Sequence, residues 1–223
     1  MIMQRYGNFA SIAAALLLPA VWCPAAETDK WEKAIAAFEA ADLQSPPPND
    51  AVLFVGSSSI RLWDLEKAFP DVATINRGFG GSQMCDAARY ASRIVTPAKP
   101  RLVVLYEGDN DLHAKKTPEQ VAADFDAFVE GVRMELPGVP LVVIGCKPSP
   151  ARWQLIDEQR LLNRRLAERC QAHGNCTFLD VEPAMLGDDG QPRAELFRAD
   201  KLHLSDAGYV VWTRLLEPHL AVK

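Results

Sequence analysis

The sequence predicts an α/β protein: a three-layer α/β/α sandwich around a five-stranded parallel sheet. Short apolar runs recur five times along the chain, at Ala51–Val55, Val72–Ile75, Arg101–Tyr106, Pro140–Ile144 and Thr177–Asp180. Runs of this length with few polar breaks suit strands covered on both faces. Helical stretches separate them, and strand–helix alternation implies right-handed crossovers between parallel strands. At 223 residues, 48% hydrophobic and 24% charged, the chain has material for one domain with a full core.

The N-terminus reads as an export signal. Arg5 supplies a positive start, and Phe9–Leu18 is an uncharged, mostly apolar stretch too short to span a bilayer comfortably. Pro19 and Pro24 would interrupt a membrane helix, and Ala25 and Ala26 offer cleavage points. The expectation is a signal peptide over 1–26 and a single catalytic domain over 27–223. The mature chain would be periplasmic or secreted, with no integral membrane anchor.

Trp31–Ala41, rich in Ala, Glu and Lys, predicts a helix with Ile35 and Phe38 inward, stopped by Ser45-Pro-Pro-Pro48. After the first strand, Gly56 and Ser57-Ser58-Ser59 lead into a helical pattern starting at Ile60. The second strand runs into the glycine-rich loop Asn76–Ser82, and Met84–Ile94 returns to helix. The third strand ends at Glu107-Gly-Asp-Asn-Asp111. Pro118 opens a helix to Glu135, with Val121, Phe125, Phe128 and Val132 on one face. After the fourth strand come Cys146-Lys-Pro-Ser-Pro150 and a helix over Trp153–Ala172. Beyond the fifth strand, Leu186–Ala199 has no clear periodicity. Ser205 can cap a last helix, Asp206–Leu220.

Composition excludes some functions. A formal net charge of −5 without a basic patch gives no support for a nucleic-acid partner. No C-x-x-C occurs and the histidines do not repeat at ligand spacing, so no metal is expected. In an oxidising compartment Cys170 and Cys176 would form a bridge across the turn between them, whereas Cys85 and Cys146 read equally as buried thiols.

Unusual polar residues follow three strands and precede the last helix. In a parallel sheet the first three loops open on the edge where ligands bind. Ser57, Ser58 and Ser59 could merely cap a helix, or one could be a nucleophile. A nucleophilic serine needs a base, usually histidine, and the base needs an orienting carboxylate. Asp200 stands three residues before His203, so one turn could present both. Glycine N–H groups and an asparagine amide could supply donors for a developing oxyanion. Asp109 and Asp111 read as loop-holding residues that accept backbone N–H bonds.

These blocks resemble those of the SGNH (GDSL-type) hydrolase superfamily. Gly56-Ser-Ser-Ser-Ile60 is similar to its Gly-Asp-Ser block, with Ser57 where the pattern has Asp. Asn76–Gly81 is similar to the glycine block, Gly108-Asp-Asn-Asp111 to the Gly-x-Asn-Asp block, and Asp200-Lys-Leu-His203 to the Asp-x-x-His block. The resemblance implies the flavodoxin-like strand order 2-1-3-4-5, Ser58 as nucleophile, His203 as base and Asp200 as its partner. It implies an oxyanion hole of the Ser58 and Gly81 N–H groups with the Asn110 amide. The implied activity is hydrolysis of a small carboxylic ester, of short-chain, acetyl-sugar or lysophospholipid type, without a cofactor. An O-acyltransferase or a non-catalytic carbohydrate-binding relative are the alternatives. His113, Arg152 and Trp153 are further candidates for substrate contact. Nothing indicates the oligomeric state.

Overall fold

The computed structural model describes residues 30–220; the expected signal, residues 1–26, lies outside them. In chain order the elements are α1 (Glu32–Gln44), β1 (Val52–Gly56), α2 (Ser58–Arg61), α3 (Leu65–Ala68), β2 (Thr74–Gly78), α4 (Met84–Ile94), β3 (Leu102–Tyr106), α5 (Asp109–His113), α6 (Pro118–Glu135), β4 (Leu141–Ile144), α7 (Ile156–His173), β5 (Cys176–Leu179), α8 (Glu182–Met185) and α9 (Asp206–Leu216). The sheet order is β2-β1-β3-β4-β5, with every pairing parallel. This is the expected sandwich.

Side chains alternate across the sheet because the strand period is two. Leu53 and Val55 of β1 join one core cluster with Met84, Phe125, Phe128 and Leu162 from α4, α6 and α7. Val52 and Phe54 point the other way, into a cluster with Trp63, Trp212 and Leu216. All five β1 residues are buried. Full burial of a side chain such as Leu53 or Phe54 contributes roughly 1.5–3 kcal/mol, so the strand that carries Ser58 at its end is firmly anchored.

Capping explains several boundaries. Thr117 accepts the Gln120 N–H and Gln120 reaches back to the Thr117 N–H, with Pro118 at the first helical position of α6. Ser205 accepts the Gly208 N–H at the start of α9.

Other boundaries differ from expectation. β2 begins later than Val72 and runs through Asn76 and Arg77, which were expected in a loop. It is an edge strand with half-buried positions, so its apolar run is broken. The Arg77 charge is balanced by Asp42 of α1, 2.5 Å away. Trp153 lies in a 3₁₀ turn, Pro150–Leu155, and the α-helix starts only at Ile156. At the other end, α9 stops at Leu216, and Pro218 sits in a 3₁₀ turn because it cannot continue the hydrogen-bond ladder. The bridge expected between Cys170 and Cys176 is not formed; the two sulfurs face each other 2.9 Å apart. Among the described residues no helix is long and apolar enough to cross a membrane.

Candidate active site

At the end of β1 the chain must turn at once. Gly56 has φ 144°, and a Cβ there would stand 2.1 Å from the Tyr106 carbonyl oxygen. Only glycine fits. The turn delivers the three serines to the carboxyl edge of the sheet, and the structure separates them. Ser57 and Ser59 are buried; the Ser57 N–H donates to the Tyr106 carbonyl, and the Tyr209 hydroxyl donates to the Ser59 carbonyl. Ser58 is partly exposed.

The Ser58 Oγ lies 3.0 Å from His203 Nε2, across 145 residues of sequence. On the other side of the ring, His203 Nδ1 lies 2.7 Å from Asp200 Oδ2. The carboxylate favours a proton on Nδ1, which leaves Nε2 to accept from the serine hydroxyl. Asp200 Oδ1 accepts the N–H groups of Leu202 and His203, each at 2.9 Å. The hydrogen bond from His203, followed by those two backbone donors, holds the Asp200 carboxyl far below the usual carboxylate range. The loop itself is pinned by the Arg198 N–H on the His203 carbonyl at 2.8 Å and the Ala151 N–H on the Lys201 carbonyl at 3.0 Å.

Amide donors face this pair. Among the described residues neither the Ser58 nor the Gly81 N–H has a hydrogen-bond partner. Gly81 has φ 84°, a conformation that L side chains rarely adopt, and the Trp31 ring lies 3.3 Å from where its Cβ would be. Asn110 Nδ2 donates one hydrogen to the Ser82 carbonyl at 2.9 Å. Ser58, Gly81, Asn110 and His203 share a cleft of about 370 Å³, whose walls also include Arg61, Gly80 and Leu202.

Behind the cleft lies a buried polar layer. Asp109 pairs with Lys147 at 3.1 Å and with Arg152 at 2.9 Å, and accepts a hydrogen bond from Gln159. Burial raises its carboxyl pKa, but the two cations outweigh this and hold it below the usual range. Glu107 is the opposite case. Burial first, then the neighbouring Asp111, push its pKa well above the usual range, although Ser82 Oγ donates to it at 2.5 Å. Asp111 accepts the Met84 N–H on both oxygens at 3.1 Å and pairs with Lys116 at 3.2 Å.

The expected residues therefore divide. Ser58, His203, Gly81 and Asn110 line one cleft, and Asp200 stands behind His203. Asp111 ties its loop to the start of α4 through one backbone N–H, that of Met84, the kind of bond expected, whereas Asp109 is instead the centre of a buried ion-pair cluster. The three further substrate-contact candidates do not line the cleft. His113 is exposed at the end of α5. Trp153 lines a separate hollow of about 290 Å³ with Phe197 and Lys201. Arg152 is buried, with both arms turned to Asp109 and Asn110. Arg61 and Leu202, which do line the cleft, carry no signal in the sequence beyond standing next to Ser58 and His203.

A family model described as the GDSL-like Lipase/Acylhydrolase family matches residues 61–211. The match begins just after Ser58, so the place of Ser58 comes from its contact with His203. Platelet-activating factor acetylhydrolase IB subunit alpha2 of Homo sapiens is 27% identical over 169 residues, covering 71% of this chain and 70% of that protein; the Rattus norvegicus protein matches to the same extent. Among solved structures, a Streptococcus pneumonia protein provisionally described as a platelet activating factor superposes with a TM-score of 0.78 at 20% identity, covering 86% of this chain and 93% of that one. A GDSL-like lipase from Bacteroides thetaiotaomicron superposes with a TM-score of 0.69 at 18% identity, covering 87% and 97%.

Proposed function

The chain belongs to the GDSL-like lipase and acylhydrolase family and is an ester hydrolase; from that premise we propose that it works through an acyl-serine intermediate on Ser58. His203 Nε2 takes the hydroxyl proton as Ser58 Oγ attacks the ester carbonyl. The new C–O bond turns the carbonyl oxygen into an oxyanion, which accepts hydrogen bonds from the Ser58 and Gly81 N–H groups and the free Asn110 amide hydrogen. Collapse breaks the bond to the alcohol, which leaves with the proton from His203. Water then attacks the acyl-serine by the same route and releases the acid. Asp200 stays ionised throughout and holds the imidazole in the tautomer that each step needs. No cofactor enters the scheme.

The observation that most supports this reading is the continuous contact from Ser58 Oγ through His203 to Asp200. The acyl group we propose is short, acetyl in the first instance. The curated relatives bear the name acetylhydrolase, and Gly80 and Gly81 stand in the wall of the cleft beside Ser58. The alcohol is a sugar or a lipid-derived group, and the reaction takes place outside the cytoplasm, in keeping with the apolar N-terminal stretch.

The test is turnover of p-nitrophenyl acetate and p-nitrophenyl butyrate by the mature chain, with Ser58→Ala as control. Acetate should be cleaved faster than butyrate, and Ser58→Ala should cleave neither. Equal rates for wild type and Ser58→Ala would refute the mechanism.

A further inference from the structure

The Asn110 amide is held from two sides. Its Oδ1 accepts from Arg152 Nη2 at 3.0 Å. One hydrogen of its Nδ2 goes to the Ser82 carbonyl at 2.9 Å. Turning the amide over would set Nδ2 against a guanidinium, donor on donor, and Oδ1 against a carbonyl, acceptor on acceptor. Both contacts would be lost, so the orientation is decided. The second Nδ2 hydrogen is left for the cleft that Asn110 shares with Ser58.

Arg152 is itself immobilised. Its side chain is one-tenth exposed, and its other arm contacts Asp109 Oδ1 at 2.9 Å. Asp109 is held in turn by Lys147 and Gln159. Two cations and one carboxylate leave a net positive charge behind the amide. A cation on Oδ1 also draws electron density from the amide, which strengthens its remaining N–H as a donor. The backbone places Arg152 for this contact. It departs from helical geometry inside the Pro150–Leu155 turn, with φ −125° and ψ 23°. The preceding residue, Ala151, bonds the loop that carries Asp200 and His203.

We propose that Arg152 is a positioning residue of the oxyanion hole: it orients and polarises the Asn110 amide so that one N–H meets the developing oxyanion. This rests on the acyl-serine reading of Ser58. Arg152 does not touch the substrate and acts through Asn110 alone.

The experiment is a double-mutant cycle on the mature chain, with p-nitrophenyl acetate as substrate and thermal unfolding as the check on folding. The variants are Arg152→Met, Arg152→Lys, Asn110→Ala, and Asn110→Ala combined with each Arg152 change. Removing a direct oxyanion donor costs about 10²–10³ in kcat, so Arg152→Met should lose about 10- to 100-fold in kcat with KM within twofold. Arg152→Lys keeps a charge for Asp109 but loses the fork, and should fall between wild type and Arg152→Met. In the Asn110→Ala background either Arg152 change should cost less than threefold further, because residues acting as a unit are not additive. Equal losses in both backgrounds would overturn the inference, as would a rise in KM alone. Arg152→Lys retains a cation beside Asp109, so it answers the question if Arg152→Met does not fold. Wild type that cleaves no ester would overturn the acyl-serine reading and this inference with it, whereas active wild type with additive losses overturns this inference alone.

Discussion

The two halves of the cleft are built on different principles. The half that carries Ser58, Gly81 and Asn110 grows from strand ends and rests on a buried polar layer: the charged Asp109, Lys147 and Arg152, and Glu107 beside them, are all less than a tenth exposed. The half that carries Asp200 and His203 is a surface loop. The Asp200 side chain is 49% exposed, and it is held by local bonds to residues two and three positions on. The lesson is that similar polar contacts have different consequences on the two sides. A buried charge that loses its partner remains desolvated and costs stability. An exposed charge that loses its partner is taken up by water, and only function is lost.

The sharpest break comes at the junction of the halves. Ser58→Ala or His203→Ala should lower kcat on the order of 10⁴-fold or more, while thermal unfolding stays close to wild type, because neither side chain supports the core. Steady-state kinetics alongside calorimetry would show this. A large drop in unfolding temperature would mean that the two halves are structurally coupled after all.

The same chemical change then separates the sides. Asp200→Asn keeps an oxygen for the Leu202 and His203 N–H groups but removes the charge that orients the imidazole. It should cost on the order of 10³- to 10⁴-fold in kcat with little change in stability. The carboxyl is held far below its usual range, so Asp200 remains ionised as pH falls, and the acid limb of the wild-type rate profile should not move with this residue. Asp109→Asn removes the anion between two buried cations. It should lower unfolding free energy by about 3–5 kcal/mol, the cost typical of breaking a buried pair, measured by chemical denaturation. If Asp200→Asn were the one to destabilise, the contrast between the halves would fail.

The halves also differ in how far the sequence revealed them. The loop half is local: Asp200 and His203 stand three residues apart, and Ser205 announces the next helix, so the sequence shows that one turn could present both, though not that the loop reaches Ser58. The strand-end half shows its glycines and serines, but not which polar group pairs with which. Asp109 reads as an ordinary loop aspartate because Lys147 and Arg152 follow a different strand, about forty residues later. Arg152 reads as a substrate contact for the same reason: an arginine beside a proline turn gives no sign that it faces inward. β2 was misplaced because an edge strand alternates, and Arg77 with its Asp42 partner interrupts the apolar run that marks the inner strands.

The smallest and most diagnostic change lies at Glu107, in the buried half. Burial, and then Asp111, raise its pKa well above the usual 4.5. Its Oε1 accepts from Ser82, and Oε2 has no hydrogen-bond partner among the described residues, an arrangement that suits a neutral carboxyl. Below pH 4.5 both the folded and the unfolded chain hold this proton, and Glu107 adds no pH dependence. Above 4.5 the unfolded chain releases it while the folded chain keeps it. Stability then falls by about 1.4 kcal/mol per pH unit until the folded-state pKa is reached. Asp111, raised to about 6 by its own burial, adds a slope of the same sign over the lower part of this window. Glu107→Gln keeps the shape and the acceptor for Ser82 but cannot titrate. Comparing the two proteins therefore cancels the Asp111 contribution. As pH rises above 4.5 the variant should gain on wild type by about 1.4 kcal/mol per pH unit for as long as the folded chain keeps the proton, and near pH 4 the two should unfold alike. Parallel stability curves over the whole range would mean that Glu107 is ionised in the folded protein. The buried layer would then carry one more negative charge, and the excess positive charge behind Asn110 would be cancelled.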